Sequence, residues 1–264
     1  MTPTARSLGD HLREWRQRRR MSQLDLALEA DISQRHLSFI ESGRATPSRE
    51  MLLHLAERLD VPLRDRNPLL LAAGFAPVFA ERKLDDPALE PARRAIDMVL
   101  KGHEPFPAIA IDRHWTLIAA NAAITPLLEA VAEASLLEPP VNALRLSLHP
   151  QGLAPQIANL PEWRAHLLDR LRQQISVSGD PVLEKLLKDL LSYPAPKDAS
   201  ERHTDFAGIA VPLQLSTKAG LLSFISTTTV FGTPVDITLS ELAVESFFPA
   251  DEETAAILRG HLAN

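Results

Sequence analysis

Gln34 and Arg35 are neighbouring side chains whose shapes match the edges of DNA bases. A Gln amide pairs with both N6 and N7 of adenine, and an Arg fork matches O6 and N7 of guanine. Both follow Ser33, a residue type that starts helices by accepting a backbone N–H, so they stand at the leading end of a short helix. A helix presented this way offers polar side chains to the major groove. Ser33 itself, His36 and Ser38 lie in the same stretch and face bases or phosphates in this reading. Gln23 opens the preceding helix, where free N–H groups and the helix dipole already favour phosphate. Arg44 and Arg49, past the helix, are expected at phosphates. Each of these residues has a plainer alternative as a solvated surface group. Phe39 either touches a thymine methyl or packs in the core.

Five helical segments fit into the first 75 residues and would position these groups. Ser7 caps the first, with Leu8, Leu12 and Trp15 at helical spacing. Ser22 caps the second, with Leu24, Ala27 and Leu28 available to the core. Ser33 caps the third, with Leu37 and Ile40 inward and Gly43 just past its end, where a left-handed residue is wanted. Pro47-Ser48 opens the fourth, with Leu52, Leu55, Ala56 and Leu59 on one face. Pro62 starts the fifth, which carries Leu69, Leu70 and Ala73 and stops at Gly74. The basic run Arg16 to Arg20 ends the first helix, where cations are favoured in any case. One or two phosphate contacts are expected from it.

Charge divides the chain. Through Phe75 there are 12 basic and 10 acidic side chains, whereas the remainder holds 16 basic and 24 acidic ones. The overall charge of −6 therefore hides a mildly basic end, as expected if only that end meets DNA. Residues 76–91, rich in Pro and charge, read as a semi-rigid linker between a DNA-binding domain at 1–75 and a second domain at 92–264.

The second domain changes pattern. Arg93 to Leu100 reads as a helix and Ala108 to Ala119 as a hairpin turning at Asp112-Arg113. Asn121 caps a following helix. Leu160–Gln174 and Pro181–Leu191 are amphipathic helices. Phe206–Ser216 and Leu221–Phe231 are apolar runs joined at Lys218-Ala219-Gly220, a second hairpin. A last strand falls within Val235–Phe248 and a terminal helix over Glu252–Leu262. An antiparallel sheet with helices beside it is an α+β fold, so the whole chain is multidomain, an all-α five-helix domain followed by an α+β domain.

The N-terminal residues resemble the xenobiotic-response-element family of helix-turn-helix domains, which includes the phage lambda repressors and Cro. Ser22-Gln23, Ala27, Ser33-Gln34, Ile40-Glu41-Ser42-Gly43-Arg44 and Pro47-Ser48 carry the likeness. Phe39 departs from it, standing where several relatives have a polar base reader. Ile111 to Asn121 (IDRHWTLIAAN) looks like the opening of a PAS-type sensor. With Asn142–Pro150, Glu162-Trp163-Arg164, Ser226–Pro234 and Glu245–Pro249, the chain resembles MmyB-like regulators, which pair a helix-turn-helix with a PAS-like ligand-binding domain.

That resemblance implies a transcriptional regulator, not an enzyme, with a double-stranded operator as one partner and a small, mostly apolar ligand as another. A fatty acid is one such ligand class. A homodimer reading two half-sites about 34 Å apart is expected. Trp115, Phe224, Phe231 and Phe247 are candidate pocket walls, Thr228 a polar wall residue, and Arg145 or His149 a partner for a carboxylate. For each of these the alternative is a structural role, and for the whole domain the alternative is a dimerisation or protein-interaction module without ligand. Catalysis has little to stand on. His149, His166 and His203 lack metal-ligand spacing, and no nucleophile elbow, phosphate-binding glycine loop or HExxH occurs. With no cysteine, no signal-like N-terminus and no apolar run near the ~20 residues that cross a bilayer, a cytoplasmic protein away from membranes is expected.

Overall fold

A computed structural model describes residues 6–194 and 210–261. Their contacts separate two compact units. The first is built on the chain up to Lys83 with the short pieces 176–178 and 233–240, and the second on the rest.

The first unit is helical: α1 (Leu8–Arg18), α2 (Gln23–Glu29), α3 (Gln34–Glu41), α4 (Arg49–Arg58) and α5 (Leu63–Ala72). Four of the starts use one device. Ser7, Ser22, Ser33 and Ser48 each accept the backbone N–H three residues on, at 3.1–3.2 Å. Such caps stabilise a helix by about 1 kcal/mol each. The ends also share a device, because Arg20, Asp31, Gly43, Asp60 and Gly74 each follow a C-cap with positive φ. That left-handed residue turns the chain away from the helix axis.

Leu12, Leu26, Leu37, Ile40, Leu52, Leu55, Leu59, Leu69 and Leu70 are sealed in the core of this unit. In α2 the inward face differs from the one the sequence suggests. Leu26 and Ala27 are buried, whereas Leu24 and Leu28 are 49% and 71% exposed. Helices α1 and α3 meet closely at Gly9, where a Cβ would fall 2.1 Å from the Glu41 carbonyl oxygen. The short helix at Ile237–Ser240 belongs to the same unit. It is preceded by the buried Asp236, which takes Arg82 at 2.8 Å.

The second unit holds α6 (Glu90–Gly102), β1 (Ala108–Ile111), β2 (Leu117–Ala120), α7 (Thr125–Leu128), α8 (Ala143–Leu148), α9 (Leu160–Ser178) but for its last three residues, α10 (Pro181–Leu191), β3 (Leu213–Thr217), β4 (Gly220–Val230), β5 (Ala243–Pro249) and α12 (Glu252–His261), where α11 denotes the helix at Ile237–Ser240. The strands form one antiparallel sheet in the order β2-β1-β5-β4-β3. Both expected hairpins form, with turns at 112–116 and 218–219. The part of the expected strand from Phe206 to Ile209 lies outside the described residues. Val235–Phe248 supplies both α11 and β5 rather than one strand.

Asn121 does not cap through its side chain. Its buried amide instead takes the Ala108 N–H at 3.1 Å and donates to the Leu100 and Phe106 carbonyls at 3.1 and 2.8 Å. One side chain thus ties β1 to the end of α6.

Candidate functional site: a groove-reading helix and an apolar cavity

Helix α3 ends in Glu41, 3% exposed and ionic. The Arg16 guanidinium reaches both its oxygens, Nε to Oε1 at 2.7 Å and Nη2 to Oε2 at 3.0 Å. Gln23 Nε2 donates to Oε2 at 2.8 Å, and Arg13 Nη2 to the Glu41 carbonyl at 3.0 Å. Burial alone would raise the Glu41 carboxyl, but the bonds from Arg16 and Gln23 and the charges of Arg16 and Arg13 hold it below the ordinary glutamate range. Residues of α1 and α2 therefore fix the far end of α3.

At its near end, Ser33, Gln34, Arg35 and His36 are exposed and consecutive, and Ser38 is half-buried. Phe39 is only partly covered. Its ring carries Arg35 on one approach, with Cζ 5.3 Å from the centroid, and Arg44 on another at 5.9 Å. Phe39 is thus a platform for two arginines rather than a plain core residue. Arg49 lies over Phe75 at 5.6 Å.

Two sequence expectations change here. Gln23's amide nitrogen is engaged by Glu41. The basic run at the end of α1 is largely turned to protein: Arg16 to Glu41 and Met21, Arg18 to Glu14, and Arg19 to the Leu59 and Asp60 carbonyls. Glu41, which organises this cluster, drew no notice beyond its place in the motif. A lone acid amid arginines on neighbouring helices was the available signal.

The second unit holds a partly open cavity of about 100 Å³. Strand alternation sets its floor. Ile109 is the register partner of Glu245 across β1–β5, and Leu213 that of Phe224 across β3–β4. Leu215 and Phe247, two residues along, face the same way and also line the cavity. Leu144 and Ser147 of α8, Trp163 and Leu167 of α9, and Trp115 close it.

Trp115 adopts φ +67°, which a bulky residue keeps only where its surroundings enforce it. Here Asp112 Oδ1 accepts from the N–H groups on both sides, His114 and Thr116, at 2.8 Å each. The Ala143 N–H bonds the Trp115 carbonyl at 2.8 Å, and Trp115 Nε1 donates to Gln174 at 2.9 Å.

Glu245 is the charged member of the lining. It is 5% exposed and paired with Arg170 through Nη1 to Oε1. Arg170 also donates to Thr228 Oγ1 at 2.9 Å and lies 4.6 Å over the Trp115 ring. Thr228 is the β4 register partner of Glu245, so one α9 arginine spans two adjacent strands.

Of the expected ligand residues, Trp115, Phe224 and Phe247 are brought together at the cavity, and Thr228 lies outside the lining, linked by Arg170 to the lining residue Glu245. Arg145, His149 and Phe231 are not in the lining. Arg145 is held by Asp189 at 2.6 Å. The His149 ring packs edge-on to Tyr193 and accepts the Gln151 N–H. Phe231 falls one residue past the end of β4, off the sheet face. Thr227 to Thr229 are exposed, which removes the need to satisfy buried hydroxyls in that run. Arg170, Glu245 and Gln174 went unnoticed in the sequence, because only strand register and helix packing bring them together.

Among the described residues no His, Asp and Glu side chains gather as a metal site. No helix there is long and apolar enough to cross a membrane. No curated protein matches the chain. Residues 12–65 match the helix-turn-helix family, in agreement with the capped α2–α3 pair. Residues 92–260, more than half of the 264, match the MmyB-like transcription regulator ligand binding domain and take in the whole cavity. The chain therefore belongs to the MmyB-like transcription regulators, with a DNA-binding helix-turn-helix ahead of a ligand-binding domain.

Proposed function

We propose that this regulator is sequence-specific and that it senses a small apolar molecule held in the second unit, which alters how the first unit engages its operator. The observation that carries the reading is the cavity itself, apolar on nearly every side and walled by Trp115, Phe224 and Phe247. A site of that kind, with few polar groups, is suited to apolar ligands. On the DNA side Gln34 and Arg35 read bases, with Ser33, His36 and Ser38 beside them. Arg44 and Arg49 meet phosphates, and Gln23 joins them if its amide exchanges Glu41 for phosphate. The protein acts in the cytoplasm as a homodimer on paired half-sites. A fatty acid, the class suggested by resemblance, is one form such a ligand takes.

The switch requires the ligand to favour one DNA-binding state over the other. Native mass spectrometry of the purified full chain gives the oligomer and any retained small molecule. Operator binding of the cavity-filled variant Leu167→Trp then gives the coupling. The expected result is a dimer with a small-molecule adduct, and loss of ligand response in the variant. A dimer with no adduct, unchanged by any apolar additive, would sink the sensing role in favour of a dimerisation module.

A further inference from the structure

We infer that Arg113 carries cavity occupancy to the two places where the chain re-enters the second unit. The inference rests on the proposed ligand role of the cavity and names the regulation of that same site.

The chain leaves the second unit after Ile175 and re-enters it at Gly179. It leaves again after Gly232 and re-enters at Glu241. Arg113 pairs with a carboxylate at each return. Its Nη1 lies 3.2 Å from Asp180 Oδ2, and its Nε lies 3.6 Å from Glu241 Oε2. Both acids are well covered, with side chains 9% and 16% exposed. Charges so placed are kept where a partner is at hand. His114 Nε2 also lies 2.9 Å from Asp180, which caps α10 by accepting the Val182 N–H at 2.8 Å.

Arg113 is equally tied to the cavity wall. It stands two residues before Trp115, in the turn that holds the Trp115 backbone at positive φ. Gln174 of α9 binds both ends of that stretch. Its Oε1 accepts Trp115 Nε1 at 2.9 Å, and its Nε2 donates to the Arg113 carbonyl at 2.7 Å. Asp112 Oδ1 holds the amides of His114 and Thr116. An indole in the wall and a main chain locked to it move together. A ligand that meets Trp115 therefore biases the turn, and the turn carries the Arg113 and His114 side chains with it.

The left-handed backbone of a bulky residue supplies the second state that a switch needs. The held form is strained, so a small difference in ligand contact between held and relaxed forms shifts the balance. The coupling is reciprocal: a displaced Asp180 or Glu241 changes how firmly Trp115 closes the wall. Arg113 lies outside the lining and acts as a positioning residue. A guanidinium suits the part because its rigid fork serves two acceptors in a fixed geometry, which a lysine ammonium does not.

The test uses the full chain with dodecanoate and 1-dodecanol as probes. Tryptophan fluorescence reads probe affinity, and hydrogen exchange reads peptides covering 176–178 and 233–240. In the wild type a bound probe is expected to change exchange in both peptides. Arg113→Gln should lose both changes while keeping probe affinity within about threefold of wild type, as for a position independent of the lining. Glu241→Gln should lose the change at 233–240 and keep that at 176–178. It decides the matter alone if Arg113→Gln does not fold. The inference would be overturned by a bound probe that leaves both wild-type peptides unchanged, by changes that persist in both peptides of the variants, or by probe affinity lost in step with them. Each of those results leaves the cavity a ligand site. Binding of neither probe by the wild type at millimolar concentration would overturn both.

Discussion

Arg16 and Glu41 face each other across α1 and α3 in a two-point grip, at 2.7 and 3.0 Å, with side chains 11% and 1% exposed. The same carboxylate also receives Gln23 from α2. Three helices thereby converge on one charge, at the opposite end of α3 from Gln34 and Arg35.

Removing one partner of such a pair strands the other. Glu41→Ala is expected to destabilise the first unit by about 3–5 kcal/mol, measured by urea unfolding. Arg16→Met, of similar length and without charge, leaves Glu41 buried among Gln23 and Arg13 and should also be costly. A loss under about 1 kcal/mol for Glu41→Ala would show that the pair does not organise the bundle.

The pH dependence follows from the same carboxyl. Its folded value lies below the ordinary 4.5, so its contribution is fully present above that value and is lost as pH falls through the folded one. Unfolding midpoints of the first unit should hold steady from pH 7 to about 5 and then drop on acidification. Glu41→Gln should show a shallower drop. Identical acid profiles for the two proteins would assign the acid sensitivity to other carboxyls.

Phe39 supports Arg35 and Arg44 at once. Each cation–ring contact at an exposed site is worth about 0.5–1 kcal/mol. Phe39→Ala should therefore weaken operator binding by about tenfold with little change in thermal stability, and Phe39→Tyr should keep it. Arg35→Ala should lower affinity for operator far more than for random DNA, whereas Arg44→Ala should weaken both alike and flatten the salt dependence. Gel-shift titrations at several salt concentrations separate these outcomes. Wild-type affinity in Phe39→Ala would remove the platform role.

In the second unit Asn121→Ala takes away the side-chain partner of the Ala108 N–H and of the Phe106 carbonyl, while the Leu100 carbonyl keeps the His103 N–H at 3.3 Å. Each unsatisfied buried group costs about 1–3 kcal/mol. The domain should lose at least about 2 kcal/mol, and hydrogen exchange should show β1 amides exposed first. Unchanged exchange at Ala108 would mean that another group replaces the amide.

The sequence made the first unit readable because its boundaries are local. A serine at each of four starts and a left-handed residue at each end need only neighbours within one turn. The inward face of α2 was not readable, because seven residues leave two faces of similar hydropathy and only packing chooses Leu26 over Leu24 and Leu28. Which members of the basic run turn to protein was not readable for the same reason, since the acceptors of Arg16 and Arg19 lie 25 and 40 residues away. The aromatic walls Trp115, Phe224 and Phe247 were legible as large apolar groups in a half-polar domain. Arg145 and His149 were poor choices because a free-looking charge in a sequence says nothing of its counter-charge, here Asp189 for the arginine. Glu245 and Arg170 were invisible because their meeting depends on the register of β5 against β4.

The sheet order has a consequence in time. Strand β5, near the end of the sequence, lies between β1 and β4, and it carries Glu245 and Phe247 into the floor of the cavity. Ile109 waits for a partner more than a hundred residues downstream, so during synthesis the cavity closes last, after every other wall exists. Such distant pairings form slowly. A molecule that binds only the closed domain stabilises it by about 2.7 kcal/mol at a hundredfold excess over its dissociation constant. Under the proposed sensing role, ligand supply then governs how many copies of the protein survive proteolysis as well as what each copy does on DNA.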